Sequence, residues 1–169
     1  MRVIDPLIME FDREAATTRR VLERVPQDQL AWKPHPKSKS IGELANHIAT
    51  VPSFIAATLP TDGFVVGSRP APPTPATVAE ILQNFEAACA AVKGAMAQLD
   101  DEKAMGGWTM RMGDQEIFSM PRAALVRTIL LNHSYHHRGQ LTVYLRLLDV
   151  PVPSVYGPTA DENPFAGAK

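Results

Sequence analysis

Leu130-Leu131-Asn132-His133-Ser134-Tyr135-His136-His137-Arg138-Gly139-Gln140 is the stretch whose reading decides the fold. With its flanks it predicts a helix whose apolar face is Val126, Leu130, His133, His137, Leu141, Tyr144 and Leu148, a stripe at i, i+3, i+4, i+7 spacing broken only by two imidazoles. Unpaired polar groups withdrawn from water each cost about 1–3 kcal/mol, so two imidazoles on a core face require hydrogen-bond partners or a metal ion. His47 stands between Leu44 and Val51 on the core side of another predicted helix. Together the three histidines suggest a three-imidazole metal site inside a helical bundle.

Working outward, Pro121 opens this last helix, and Val150-Pro151-Val152-Pro153 prevents its continuation beyond about Leu148. Three further helices follow from periodicity and punctuation. The first spans about Asp5 to Arg24, with Asp5 as N-cap and Pro6 as the first helical residue. The second opens on the capping box Ser40-Ile41-Gly42-Glu43 and carries Leu44, Ile48, Val51 and Ile55, with a kink or an early end expected at Pro52. The third starts near Thr74-Pro75 or at a second capping box, Thr77-Val78-Ala79-Glu80, and continues to about Leu99. Pro60 to Pro75, rich in proline, reads as a long extended crossover between helices two and three. Two short alternating runs around Gly113-Asp114 predict a small β-hairpin before the last helix. The expected fold is therefore all-α: a four-helix bundle with a long helix 2 to helix 3 crossover and a small hairpin, in one domain over residues 1–169. Tyr156 to Lys169 reads as a surface tail.

Bulk properties exclude several classes of function. With 17 Lys+Arg against 18 Asp+Glu, the chain has no electrostatic reason to bind nucleic acid or an anionic membrane. The short basic stretch Lys33-Pro34-His35-Pro36-Lys37-Ser38-Lys39 reads as a solvated loop. A single cysteine, Cys89, allows neither an intramolecular disulfide nor a thiolate cluster, and its alanine-rich setting reads as packing. The N-terminal stretch lacks an apolar signal core and no segment of about 18 apolar residues occurs, so we expect a cytoplasmic protein that does not span a membrane.

Of the five histidines, His35 lies between two prolines in the basic loop and reads as exposed. His133 and His137, one turn apart, bring their Cβ atoms to about 5–6 Å, as helical zinc motifs do. His136 competes for the second ligand position. The stripe favours His137, which leaves His136 on the flank with Ile129, Asn132, Gln140 and Val143. A set of His47, His133 and His137 contains only neutral donors and leaves coordination positions open, which suits zinc, nickel or iron better than calcium or magnesium. Asn46 and Asn132 each precede a candidate ligand and are placed to orient an imidazole or a water. Glu43, one turn before His47, is a base candidate whose simpler role is capping. Arg138 and Gln140 border the site, with an exposed ion pair the ordinary role for such an arginine. Tyr135 and Tyr144 read as packing residues with satisfied hydroxyls.

Trp32-Lys33-Pro34-His35-Pro36-Lys37-Ser38-Lys39-Ser40-Ile41-Gly42-Glu43-Leu44-Ala45-Asn46-His47, then His133-Ser134-Tyr135-His136-His137-Arg138-Gly139-Gln140-Leu141, Tyr144-Leu145-Arg146 and Val150-Pro151-Val152-Pro153 resemble the DinB-type family of metal-binding proteins, also called damage-inducible or DinB/YfiT-like. The resemblance covers nearly the whole chain. It implies a four-helix bundle with a long crossover and a divalent metal held by three histidines that map onto His47, His133 and His137. It further implies chemistry with low-molecular-weight thiols such as mycothiol, bacillithiol or glutathione, and dimerisation through helix faces, giving a homodimer.

Two readings of function follow. In the first, the protein is a metal-dependent enzyme in which the three-histidine ion activates a thiol or water nucleophile, giving S-transfer or hydrolysis of a small-molecule substrate. Any such thiol comes from outside the chain. In the second, it is a non-catalytic, metal-stabilised protein that binds a small apolar molecule, linked to stress, with Phe64-Val65-Val66 and Trp108 either lining the pocket or packing as core and lid. A plain bundle with satisfied core histidines is the third alternative.

Overall fold

The structure, a computed structural model, describes residues 1–68 and 75–166. It is mostly helical. In chain order the elements are α1 (Asp5–Leu22), a 3-10 turn (Gln27–Gln29), α2 (Ile41–Thr58), β1 (Gly63–Val65), α3 (Val78–Ala97), α4 (Asp101–Met105), β2 (Gly107–Met112), β3 (Gln115–Pro121), α5 (Arg122–Leu125), a π-helical segment (Val126–Asn132) and α6 (His133–Leu147). Pro70, Pro72, Pro73 and Thr74 of the expected crossover lie outside the described residues.

Local chemistry sets the helix starts. Ser40 accepts from Glu43 N at 3.1 Å while the Glu43 carboxylate accepts from Ser40 N at 2.6 Å, so α2 opens on a complete capping box. Thr77 and Glu80 do the same for α3. Helix α1 differs from expectation: Ile4 is its N-cap, and the Asp5 carboxylate turns away to accept from Arg2 N at 2.7 Å and Arg2 Nε at 2.9 Å. Pro52 neither ends nor breaks α2, which runs a further turn and a half to Thr58. Pro52 and its helical neighbours Val51 and Ile55 are buried, so core packing outweighs the one backbone donor that the proline removes. Gly42 is required by close approach. Its N–H donates to Leu30 O at 3.0 Å, and a Cβ there would meet that oxygen at 2.8 Å.

The hairpin turns at Gly113-Asp114, where Gly113 adopts a positive φ of 57° and Met112 pairs with Gln115. It is part of a larger sheet than expected. β1 joins β2 in parallel, giving the order β1-β2-β3, so the all-α expectation is corrected to a helical protein with a three-stranded sheet. A three-residue strand carries too little alternation to be seen in sequence. Arg122, only 9 % exposed, fastens this sheet to the helices by donating to the carbonyls of Leu59, Thr61 and Gly107 and to the Asp62 carboxylate.

Two hydrophobic clusters fill the interior. One gathers Phe11, Val51, Ile55, Val92, Met96, Trp108, Val126 and Leu130; the other gathers Leu22, Ile41, Leu44, Ile48, Ile81, Phe85, Leu141 and Leu145. α1, α2, α3 and the run from α5 through α6 contribute to both or adjoin them, so α2 and α6 lie side by side where the two clusters meet.

Between α1 and α6 sits a buried ion pair. Arg138 is 2 % exposed and Glu14 7 % exposed, with Nη2 2.7 Å from Glu14 Oε2. Glu14 O, Thr18 Oγ1 and Tyr156 OH also accept from the guanidinium, and Tyr156 OH donates to Glu14 at 2.8 Å. The exposed arginine expected at position 138 is thus a core residue. The C-terminal segment lies at the surface as expected and is held there. Asp161 pairs with Arg146 and accepts from Val152 N at 2.9 Å, Glu162 pairs with Arg20 and accepts from Ser154 N at 3.1 Å, and Tyr156 caps the buried pair.

Removing one partner of a buried pair leaves the other charge dehydrated and unmatched. Arg138→Ala is expected to lower the unfolding free energy by about 3–5 kcal/mol in urea titrations, and Tyr156→Phe by about 1 kcal/mol.

Candidate metal centre

The π-helical segment determines where the imidazoles point. It replaces i→i−4 hydrogen bonding with i→i−5, which shifts every later residue back by about one position, ~100° of rotation, relative to an uninterrupted α-helix. The buried face of α6 is consequently Arg138, Leu141 and Leu145. His133 and His137 do not stand on the core stripe as expected. They flank it, half-buried, and face His47 across the α2–α6 contact.

His47, His133 and His137 come together. One ring nitrogen from each lies within 4.8 Å of the other two, and Nε2 of His47 is 2.9 Å from Nε2 of His133. The ring centroids are 4.4–5.1 Å apart in all three pairs, and the planes stand nearly perpendicular, at 79°, 85° and 86°. Edges and nitrogens converge rather than ring faces. His137 Nδ1 is 2.7 Å from Gln140 Oε1. A carbonyl oxygen only accepts, so Nδ1 carries the proton and Nε2 keeps its lone pair.

Burial is the first cause that favours the neutral rings. His47 is pushed down to about 4, by burial first and then by the neighbouring His137, His133 and Lys39. Burial, followed by the other histidines, also lowers His133. His137 is lowered as well, although Gln140 opposes the shift. Neutral imidazoles with available lone pairs are the form that ligates divalent transition metals, so the donor chemistry fits such an ion.

The other candidates fall elsewhere. His136 is exposed, its ring 4.8 Å from that of His137, and it stays outside the cluster. His35 is exposed and accepts from Lys37 N at 3.2 Å. Glu43 is occupied by Ser40 and by Lys33 at 3.5 Å, which suits a cap rather than a base. Asn46 is buried and Asn132 exposed; Gln140, visible in sequence only as an i+3 neighbour of His137, meets the His137 ring. Tyr135 donates to Glu10 at 2.7 Å, and Tyr144 packs edge-on against Trp32. Trp108 is fully buried with its N–H on Thr58 O at 3.0 Å, and Phe64 packs edge-on against Phe54. Burial pushes the Cys89 thiol up to about 12, so it supplies no thiolate. Among the described residues, no helix is long and apolar enough to cross a membrane.

The DinB family's sequence model matches residues 3–164. A curated relative, the uncharacterized protein YrdA of Bacillus subtilis, is 26% identical over 161 residues, covering 95% of this chain and 92% of its own. Among solved structures, a DinB-like protein from Bacillus cereus superposes with a TM-score of 0.70 at 23% identity, over 89% of this chain and 95% of that one. The DinB-like protein YjoA of Bacillus subtilis superposes with a TM-score of 0.68 at 18% identity, over 94% and 99%.

In the metal-free protein, His47 takes up its proton near pH 4 when folded and near 6.5 when unfolded. The unfolded chain binds more protons between those values, so stability rises with pH across that window and is lost as pH falls through it. Histidine NMR titration is expected to give a midpoint near 4 for His47. Denaturant unfolding at pH 5 and pH 7 is expected to show lower stability at pH 5, with the difference reduced in His47→Gln.

Proposed function

The chain belongs to the DinB family, and we propose that it is a divalent-metal protein whose ion is held by His47, His133 and His137 and whose work is to activate a thiol or water nucleophile. The observation that carries this reading is the convergence of three half-buried neutral imidazoles with a ring orienter, Gln140, on one of them. Bound there, a divalent ion supplies Lewis acidity that favours the deprotonated form of a thiol or water.

The chain's own residues do the rest. His47 on α2 and His133 and His137 on α6 present nitrogen donors from two elements locked by a common core, which limits reorganisation on loading. Gln140 holds the His137 tautomer by accepting at Nδ1. Imidazole donors favour zinc, nickel or iron. With the half-buried Cys89 thiol pushed up to about 12, a sulfur nucleophile is a low-molecular-weight thiol from solution, and the reaction is S-transfer; with water it is hydrolysis. We further read the long helical runs as one four-helix bundle domain with a crossover between α2 and α3, acting on a small molecule in the cytoplasm as a homodimer, without nucleic-acid or membrane partners.

Elemental analysis of untagged protein purified without added metal tests the reading. About one divalent transition metal per chain is expected, and none in His47→Ala or His133→Ala; a metal content near zero in the unmodified chain overturns it. Gln140→Ala is expected to weaken metal affinity by about 10–100-fold in chelator competition while leaving the fold intact.

A further inference from the structure

The chain turns back on itself after α6. Asp149 adopts a positive φ of 56°, with its N–H on Arg146 O at 3.1 Å and that of Val150 on Leu145 O at 3.0 Å, a helix stop that ordinarily falls to glycine. The returning chain is rooted by Val152 and Ser154, each 7 % exposed. Beyond Val155, no described residue of this segment joins either hydrophobic cluster. Residues 156–166 are held instead by side-chain polar contacts: Tyr156 OH on Glu14 and Arg138, Asp161 on Arg146, and Glu162 on Arg20. The last two are ion pairs at the surface, and such pairs hold weakly.

Tyr156 differs in what it holds. Although it is 71 % exposed, its OH lies 2.7 Å from Arg138 Nη2 and 2.8 Å from Glu14 Oε2. The Arg138 guanidinium stands 5.1 Å from its ring centroid, and the Tyr135 ring meets it edge-on at 6.3 Å. Behind it the packing is open. Glu14 and Tyr135 also wall a small cavity, with Phe11, Leu130, Leu131 and Ser134. At this level α6 is therefore held against α1 by the polar cap more than by interdigitated apolar side chains. Ser134 at the cavity directly follows His133, and Arg138 under the phenol directly follows His137. A rotation of α6 that the cap permits carries both imidazoles with it.

We propose that Tyr156 is a positioning residue for the three-imidazole cluster: docked on the Glu14–Arg138 pair, the segment 156–166 holds α6 in the rotation at which His133 and His137 meet His47, and its release loosens that convergence. Tyr156 acts through Arg138 and touches none of the three rings. The inference goes beyond the metal reading, because the coupling belongs to the chain itself and needs no ion. Coupling of this kind is reciprocal, so whatever clamps the imidazoles together also holds the segment down.

The test uses the metal-free full chain at neutral pH. It compares the unmodified protein with Tyr156→Phe, with the double variant Asp161→Asn/Glu162→Gln, and with Thr77→Ala, which removes the side-chain cap of α3 and serves as a control for lost stability alone. Two signals are read by NMR. One is hydrogen exchange at the Val152 and Ser154 amides, which donate to Asp161 and Glu162. The other is the set of imidazole C–H resonances of His47, His133 and His137, with exposed His35 as reference. Tyr156→Phe and the double variant are each expected to speed exchange at both amides by about 5–10-fold and to move the three cluster resonances in the same direction, leaving His35 in place. Thr77→Ala is expected to move none of the imidazoles. The proposal is overturned by faster exchange with the cluster resonances unmoved, which makes the segment an inert tail. It is equally overturned if Thr77→Ala shifts the imidazoles as far as Tyr156→Phe does, or if Tyr156→Phe leaves exchange unchanged.

Discussion

The Glu14–Arg138 pair is the constraint on which the placement of α6 depends. A guanidinium at 2 % exposure has one tolerable position, where a carboxylate and enough acceptors surround it, and here those are Glu14, Thr18 and Tyr156. Satisfying Arg138 fixes the rotation of α6 against α1. Once α6 is rotated so, His137 beside it in sequence cannot also face the core. It faces α2, where His47 waits. The same pair draws in the C-terminal segment through Tyr156, and the Arg20–Glu162 and Arg146–Asp161 pairs hold that segment over the contact.

This arrangement reconciles two demands on one helix. A packed helix needs an apolar face, and imidazoles that are to meet anything from solvent need an approach from it. Leu141 and Leu145 meet the first demand and the flank occupied by His133 and His137 meets the second. Half-burial matters energetically. Full burial of three imidazoles without a metal would leave several polar nitrogens unmatched, whereas the observed cluster matches one Nε2 contact internally and one Nδ1 to Gln140. Burial is still sufficient to keep the rings neutral.

Much of this was legible in the sequence. Ser40/Glu43 and Thr77/Glu80 announced their helices because a capping box is a local device with a fixed spacing, and Gly113-Asp114 announced its turn for the same reason. The grouping of His47, His133 and His137 could be anticipated from periodicity and from the family resemblance, although periodicity placed the pair on the wrong face. What stayed hidden was non-local. Nothing near Arg138 indicates that Glu14, 124 residues away, will bury it. β1 is too short to show alternation, and its partner strand lies more than 40 residues downstream. The tail's anchors are single carboxylates that meet arginines on α1 and α6. Pro52 does not end α2, because propensity is a local rule and the packing around Val51 and Ile55 is not.

The error about the stripe is itself informative, because its physical cause is the π-helical segment. Counted in α-register from Val126 and Leu130, the core face passes through His133 and His137; counted after the π segment, it passes through Arg138, Leu141 and Leu145. One residue of register separates a protein with imidazoles entombed in its core from one with imidazoles at a reachable edge. A π segment costs hydrogen-bond geometry and packing, so it persists where the surrounding structure holds it. Here the apolar side chains of Val126, Leu130 and Leu131 anchor it on one side and the Arg138 ion pair fixes the helix on the other. The ion pair and the π segment are therefore two halves of one device: the segment supplies the shift in register, the pair makes the shifted register the stable one, and the half-buried placement of His133 and His137 beside His47 is what the shift leaves.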